Sequence, residues 1–326
     1  MAKLIRKSGE EMISASATAF DVAVIGAGFA GLSAALVLGR YLLPTIVFDA
    51  GKTRNHRTKH IHSYLGLENI SPSRFIVQAR RDVLSYHSVN IIKQRVTAIK
   101  NNKDHFLIAT DQNQLPIKAK YIIIATGVID TKPNIKNFIK IDGKGAWHCP
   151  HCDGLETAGK SLIILAKGKG GNSIGAISYA KEFLGWTNKI KVFIQDSCPL
   201  DRSQRHEAKR IGIEVVENDP LVEVLKVSDR SSGKIKLLSN SGKVYYSDVV
   251  FYHLGYNVQN NVAKQLGCKL EEEFIKVDKR QQTTVPHVFA AGDVDTDRHY
   301  IVLAVASGAL AAISIYEDIL KNALET

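Results

Sequence analysis

FDVAVIGAGFAGLSAALVL, residues 20–38, is the stretch whose reading decides the architecture. Phe20 to Ile25 is a short run rich in β-branched residues, and Leu32 to Leu38 is apolar and made of good helix formers. Between them stand Gly26, Gly28 and Gly31 in the pattern G-x-G-x-x-G. The order predicts strand, tight turn, helix. Thr45 to Phe48 then predicts a second strand ending at Asp49, which completes a βαβ unit with a parallel strand pair. The glycines serve different ends. Gly26 permits the turn, Gly28 lets backbone approach a pyrophosphate, and Gly31 lets helix and strand pack closely. The helix start offers N–H donors and the positive end of its dipole to phosphates. Asp49 falls where a ribose needs an acceptor, so the four residues together point to a dinucleotide site, with a plain glycine turn as the alternative.

Working outward, Ser73 to Ser85 is expected as a helix, and Val89 to Ile99, Phe106 to Ala109 and Tyr121 to Ile124 as strands, the last running into Ala125, Thr126 and Gly127. Asp130 to Gly145, with Pro133, Asn134, Asn137 and Gly143 and little periodicity, marks a connection between domains. A strand from Ser161 to Leu165, a glycine-rich turn from Gly168 to Gly175, a helix through Leu184 and a strand from Ile190 to Ile194 repeat the opening plan. The β-rich segment Val222 to Tyr246 and strands at Val249 to Tyr252, Phe274 to Val277 and Val288 to Phe289 precede an Ala-rich helix from Ile301. The last of these strands stops at Gly292 and leaves Asp293 ahead of that helix, where a carboxylate can accept a hydroxyl hydrogen bond or cap the helix. The expected fold class is α/β: two Rossmann-like, three-layer domains of dinucleotide-binding type, the second inserted in the first. Residues 1–19 are expected as an N-terminal extension, 20–131 and 256–326 as one domain, and 132–255 as the inserted one.

A chain of 326 residues has room for two such domains. Its 45% hydrophobic and 23% charged residues, without a single-sign tract, match a globular protein. The net charge of +11 favours acidic partners, but the basic residues are scattered and form no nucleic-acid module. The longest apolar run, Ile301 to Ile315, is shorter than the roughly 20 residues a bilayer requires, so no membrane span is expected. Four cysteines are too few for a disulfide framework, and the cytoplasm is the default setting.

Two of those cysteines matter by position. Cys149-Pro150-His151-Cys152-Asp153-Gly154 separates two thiols by two residues, a spacing that closes a small disulfide ring. A helix starting there lowers thiol pKa and favours the nucleophilic thiolate. Asp153, held near and partly desolvated, can give or take the proton that each thiol–disulfide step requires. Half a zinc site is the competing reading, but zinc needs four ligands and Cys198 and Cys268 are isolated, so no metal is expected. The turn from Gly168 to Gly175 has irregular spacing, and Gln195-Asp196 after the next strand lacks the paired arginines that grip a 2′-phosphate.

Taken together, the order of these segments resembles the low-molecular-weight thioredoxin reductase family, from Phe20 to the C-terminal helix. The resemblance rests on Gly26/Gly28/Gly31, Ala125-Thr126-Gly127, C-x-x-C-D-G at 149–154 and Ala290-Ala291-Gly292-Asp293-Val294. It implies an FAD-binding domain in two sequence pieces, held to the cofactor by Gly26, Gly28, Gly31, Asp49, Thr126, Gly127, Gly292 and Asp293. It also implies an inserted NADPH-domain-like domain carrying the dithiol, and a homodimer. Within the catalytic set, Cys152 is implied to face the flavin, Cys149 to attack the substrate disulfide, and Asp153 to serve as proton donor and acceptor. The departures at the second glycine turn, and His299-Tyr300-Ile301 near the flavin position, resemble divergent branches, including ferredoxin-dependent reductases and dithiol oxidases.

The leading expectation is therefore an FAD-dependent disulfide oxidoreductase whose donor is NADPH or, given the departures, ferredoxin, and whose partner is a thioredoxin-like protein. One alternative reverses the flow: a small dithiol reduces the enzyme and oxygen accepts the electrons. Another is a flavin redox sensor that does not turn over. Neither order nor spacing chooses among them.

Overall fold

The computed structural model describes residues 19–112, 115–168, 174–227 and 234–325. The expected extension before Ala19 and the centre of the second glycine turn, residues 169–173, lie outside the described residues. The chain divides into two compact units. One takes in the chain through Gly51, Arg80–Thr126 and Asn260–Thr326; the other takes in Lys52–Ala79 and Gly127–Gln259. From sequence alone Lys52–Ala79 belongs with the first unit, yet its contacts group it with the second.

In the first unit, β1 (Ala19–Ile25), α1 (Phe29–Arg40) and β2 (Thr45–Phe48) form the expected βαβ unit, with β1 parallel to β2. Helix α2 (Pro72–Leu84) crosses the division between units and leads to β3 (Val89–Ile92), which adds parallel to β2. Strands β4 (Val96–Asn102), β5 (His105–Thr110) and β6 (Ile117–Ile124) continue the sheet in the order β3-β2-β1-β6-β5-β4. The single strand expected over Val89 to Ile99 is thus two: β3 runs parallel with β2, whereas β4 is antiparallel to β5, and the chain must turn at Lys93 to Arg95 to change partners. Returning from the second unit, α6 (Asn261–Leu266), the short pair β17 (Leu270–Glu271) and β18 (Phe274–Ile275), β19 (Val288–Ala290) and α7 (Ile301–Leu324) complete this unit. Strand β19 pairs parallel with β6.

Helix α7 has 24 residues and is long and apolar enough, by length and composition, to cross a membrane. This corrects the length argument drawn from Ile301 to Ile315, because the helix continues through Asp318 and Lys321. Its small-residue face, with Ala304, Gly308, Ala311 and Ala312 buried, packs on α1: a Cβ at Gly308 would lie 2.1 Å from the Ala30 carbonyl oxygen. Ser33 Oγ also donates to the Val305 carbonyl across the pair at 2.7 Å.

The second unit is built on a parallel sheet. Its strands are β8 (Ala146–Trp147), β9 (Leu162–Ala166), β10 (Ile190–Ile194), β11 (Glu214–Val216) and β15 (Val249–His253), ordered β11-β10-β9-β15-β8. Alternation along β9 explains the layering, because successive side chains point to opposite faces. Leu162, Ile164 and Ala166 pack with Ala176, Ile177 and Phe183 on the side of α4 (Ala176–Lys181) and α5 (Arg202–Arg210). Ile163 and Leu165 pack with Leu221, Ile235 and Leu237 of the antiparallel sheet β12 (Leu221–Val227), β13 (Ile235–Ser239) and β14 (Val244–Ser247). Helices, parallel sheet and antiparallel sheet make the three layers. Strands β7 (Val128–Asp130) and β16 (Tyr256–Val258) pair antiparallel where this part of the chain enters and leaves the unit. Helix α3 (Pro150–Asp153) is one turn long and holds the cysteine motif.

Candidate active site

Parallel pairing brings the ends of four strands of the first unit level with one another. Ile25 is opposite both Phe48 and Ile124, and Ala290 is opposite Ile124. Gly26, Asp49, Thr126, Gly292 and Asp293 therefore gather at the carboxyl ends of those strands, where ligands of parallel α/β sheets bind. The turn itself is tightly built: Gly26 has φ +117°, and a Cβ there would sit 2.3 Å from the Ala125 carbonyl oxygen. A Cβ on Gly31 would lie 1.9 Å from the Gly26 carbonyl oxygen, so helix and strand touch there. At Gly28, by contrast, an added Cβ meets nothing within 4 Å. Gly28 is the N-cap of α1, no side chain caps that end, and its first turn holds no acidic residue. Packed glycines on either side of open space, at a helix N-terminus, fit a bound pyrophosphate.

Asp49 is buried, accepts from the Gly51 N–H at 2.9 Å and pairs with Arg80. A carboxylate has about four acceptor sites, so these two partners fix its orientation and leave capacity for a ribose hydroxyl. Arg80 escaped the sequence reading; it lies in α2, far along the chain from the strand it serves. Gly292 has φ +84° and donates its N–H to Ser307 Oγ of α7 at 2.9 Å. Asp295, also unanticipated, lines with Gly292, Gln281 and Ser307 a cavity of about 370 Å³, and burial pushes its carboxyl up to about 7. Gly127, φ +67°, opens the second unit and accepts from the Gln259 N–H at 2.9 Å.

The second unit holds the sulfur chemistry. Cys149 and Cys152 are joined as a disulfide, the oxidised form of the motif. Cys149 is the N-cap of α3, with Pro150 at the first helical position, where its missing N–H costs nothing. Both the Cys152 N–H (3.1 Å) and the helix start face Cys149 Sγ, an arrangement that stabilises a thiolate at that sulfur once the bond is reduced. The other two cysteines are not bonded: Cys268 is buried and its Sγ donates to Thr283 Oγ1 at 3.5 Å, while Cys198 is half-buried.

Asp153 directly follows the disulfide and is 7% exposed. Burial first, then the neighbouring Glu156 carboxylate, raises its carboxyl to about 7, with His62 pulling the other way. A carboxyl poised there exchanges a proton readily at neutral pH. Packing holds the segment from behind: a Cβ at Gly154 would meet Trp186 at 2.4 Å, and Tyr179 donates its hydroxyl to the His148 carbonyl at 3.0 Å. His148 is pushed down to about 4 by burial, offset in part by Asp130 3.4 Å away. Asp130 in turn holds Arg54 through two hydrogen bonds of 2.6 and 2.8 Å. Arg54 and His62 come from the His-, Lys- and Asn-rich stretch after Gly51. Sequence offered no sign of their place beside the cysteines, since nothing local records a contact made across some ninety residues of chain.

Comparison with known proteins agrees with this chemistry. The family model for pyridine nucleotide-disulphide oxidoreductases matches residues 20–310. Thioredoxin reductase sirT of Leptosphaeria maculans is 27% identical, covering 91% of this chain and 93% of that protein. A solved putative thioredoxin reductase from Bacillus anthracis is 27% identical with a TM-score of 0.82, covering 93% of this chain and 99% of its own. An oxidoreductase from Agrobacterium tumefaciens is 29% identical with a TM-score of 0.79 over 93% and 99% of the two chains. A disulfide beside a buried acid in one Rossmann-like unit, a pyrophosphate cradle in the other and a match across nearly the whole chain lead to one assignment: this chain belongs to the pyridine nucleotide-disulphide oxidoreductase family, as a thioredoxin reductase-like, FAD-using oxidoreductase that acts on sulfur.

Proposed function

We propose that the chain passes two electrons between FAD, the Cys149/Cys152 pair and the disulfide of a thioredoxin-like protein. The observation that carries this reading is the bonded Cys149–Cys152 pair at the start of a helical turn with the buried Asp153 next to it. FAD, when bound, supplies the two-electron exchange with a dithiol. Gly26, Gly28, Gly31, Asp49, Thr126, Gly127, Gly292 and Asp293 are the residues proposed to hold it, with Asp49 and Asp293 accepting from hydroxyls.

In this scheme two electrons and two protons convert the Cys149–Cys152 disulfide to a dithiol. Cys149, stabilised as thiolate by the Cys152 N–H, attacks the partner's disulfide, and one sulfur of that partner leaves as thiolate. Cys152 then displaces Cys149-bound sulfur, which restores the enzyme disulfide and frees the partner as a dithiol. Asp153 gives the leaving thiolate its proton and takes one from the attacking thiol.

The proposed donor is a ferredoxin-like protein in place of NADPH. Asp196, at the end of β10, accepts from the Gly168 N–H at 3.0 Å, and Arg205 is held on Glu217 through bonds of 2.8 and 3.0 Å. These contacts occupy the acid past β10 and one arginine of the helix that follows it. The proposed setting is a cytoplasmic homodimer; two unbonded cysteines suit a reducing compartment.

Anaerobic mixing of the purified flavoprotein with NADPH, reduced ferredoxin or a small dithiol, followed at the flavin's visible absorbance, tests the donor. Reduced ferredoxin is expected to bleach the flavin faster than NADPH by about 100-fold or more, an effect of several kcal/mol in barrier. Fast bleaching by the small dithiol, with recovery on admitting oxygen, would establish the reverse flow instead. Turnover that survives Cys149→Ser and Cys152→Ser would remove the redox pair from the scheme.

A further inference from the structure

The loop that carries His62 is a closed structure. Ile61 is buried, its N–H donates to the Ile70 carbonyl at 2.8 Å, and its own carbonyl accepts from the Asn69 N–H at 2.9 Å. Across this closure the Glu68 carboxylate accepts from the Ser63 N–H at 2.8 Å and lies 2.7 Å from His62 Nδ1. One ring nitrogen is thereby committed to Glu68, which fixes the direction of the other. That second nitrogen, Nε2, is 3.7 Å from Glu156 Oε1.

Glu156 stands in the short helical turn Gly154–Thr157, directly after the cysteine motif. The turn is pinned by Trp186 behind Gly154 and by Thr157 Oγ1 donating to the Gly154 carbonyl at 2.6 Å. Glu156 Oε2 is buried with no hydrogen-bond partner among the described residues. A buried carboxylate oxygen left without a donor is costly, a cost lessened here because the side chain as a whole is 36% exposed.

Resting on the reading of Asp153 as the proton carrier, we propose that His62 and Glu156 are positioning residues, an imidazole and a carboxylate held together beside the cysteine motif that act on Asp153 in opposite senses and so govern its proton exchange. Glu156 holds the proton on Asp153 by repulsion between carboxylates; His62 favours its release and, through Nε2, restrains Glu156. Other groups bear on Asp153 as well. Tyr179 of α4 interacts with it, Glu182 lies beside Tyr179, and Glu182 pairs with His151 at 3.6 Å. Among the described residues, burial is the largest influence on the Asp153 carboxyl, with Glu156 raising it further and His62 lowering it, to about 7.

The test is the rate at which dithiothreitol reduces the Cys149–Cys152 disulfide in the intact flavoprotein, from about pH 5 to about pH 9, read by acid quench and maleimide labelling. Dividing each rate constant by the thiolate fraction of dithiothreitol at that pH removes the reagent's own ionisation. The wild-type profile is expected to bend near the Asp153 value of about 7. Glu156→Gln is expected to move that bend down by about half to one pH unit and His62→Gln to move it up by a similar amount, because the removed charges have opposite sign. Glu68→Gln, which only frees the imidazole, is expected to give a smaller upward move and serves if His62→Gln fails to fold. Asp153→Asn is expected to abolish the bend. A profile in which Asp153→Asn abolishes the bend while the other variants leave it in place, or move it in one common direction, overturns the charge-pair proposal alone. A bend that persists in Asp153→Asn overturns the Asp153 reading on which it rests.

Discussion

The two Rossmann-like units share a plan and differ in how the acid past their second strand is held. In the first, the turn after β1 leaves Gly28 facing open space at the start of a twelve-residue helix, and the acid that ends β2, Asp49, is steadied by Gly51 and Arg80. In the second, Gly168, the first glycine past β9, is packed on protein: a Cβ there would lie 1.6 Å from the Cys198 carbonyl oxygen, and the acid past β10, Asp196, accepts from the Gly168 N–H. Asp49 is held by the N–H two residues on and by an arginine from α2, whereas Asp196 is tied to the glycine just past the first strand of its own βαβ plan. The lesson is that strand–turn–helix order specifies a fold, and that what the turn does with its N–H groups and its acid specifies a ligand.

The sharpest way to break the comparison is to place a branched side chain in each turn. Gly31→Val forces a Cβ into the Gly26 carbonyl and is expected to lower FAD affinity by about 100-fold or more, so that the protein purifies with little flavin. Gly168→Val is expected to lower the melting temperature but keep the flavin-to-protein absorbance ratio. Equal flavin loss in both variants would make the turns equivalent.

A smaller effect separates the two acids. Asp49→Ala removes a charged acceptor and is expected to weaken FAD binding by about tenfold, measured by flavin fluorescence on dilution. Asp196→Ala is expected to cost about 1 kcal/mol of stability from its lost bond to Gly168 and to leave flavin affinity unchanged.

The smallest effect concerns Asp153 and the pH dependence of stability. An unfolded Asp ionises near 3.9, whereas the buried Asp153 does so at about 7. Between those values the unfolded chain has released a proton that the folded chain retains, so wild-type stability falls as pH rises through this window and levels off above it. Asp153→Asn lacks that decline. Its melting temperature is expected to exceed that of wild type by about 3 °C at pH ~8 and to match it at pH ~4.

Much of this was legible along the chain. Strand β2, strand β10 and the start of α7 fall where propensity and periodicity put them, because each signal is local: a β-branched run, a change of period, an apolar start. The cysteine motif was legible for the same reason, since spacing alone brings Cys149 and Cys152 together across one helical turn. Other elements eluded it. The break between β3 and β4 depends on a change of strand partner, and α7 runs on past its apolar stretch into polar residues that carry no apolar periodicity.

What the sequence determined by itself was the set of groups that chemistry requires: glycines where backbone must approach closely, an acid at a strand end, two thiols two residues apart with a carboxyl beside them. What only the tertiary structure decided was their surroundings. Arg80 reaches Asp49, Arg54 reaches Asp130 and His62 reaches Glu156 from stretches with no periodic signature. The physical reason is that a carboxyl's proton affinity is set by burial and by charges a few ångströms away, and those distances exist only once distant segments of the chain are folded against one another.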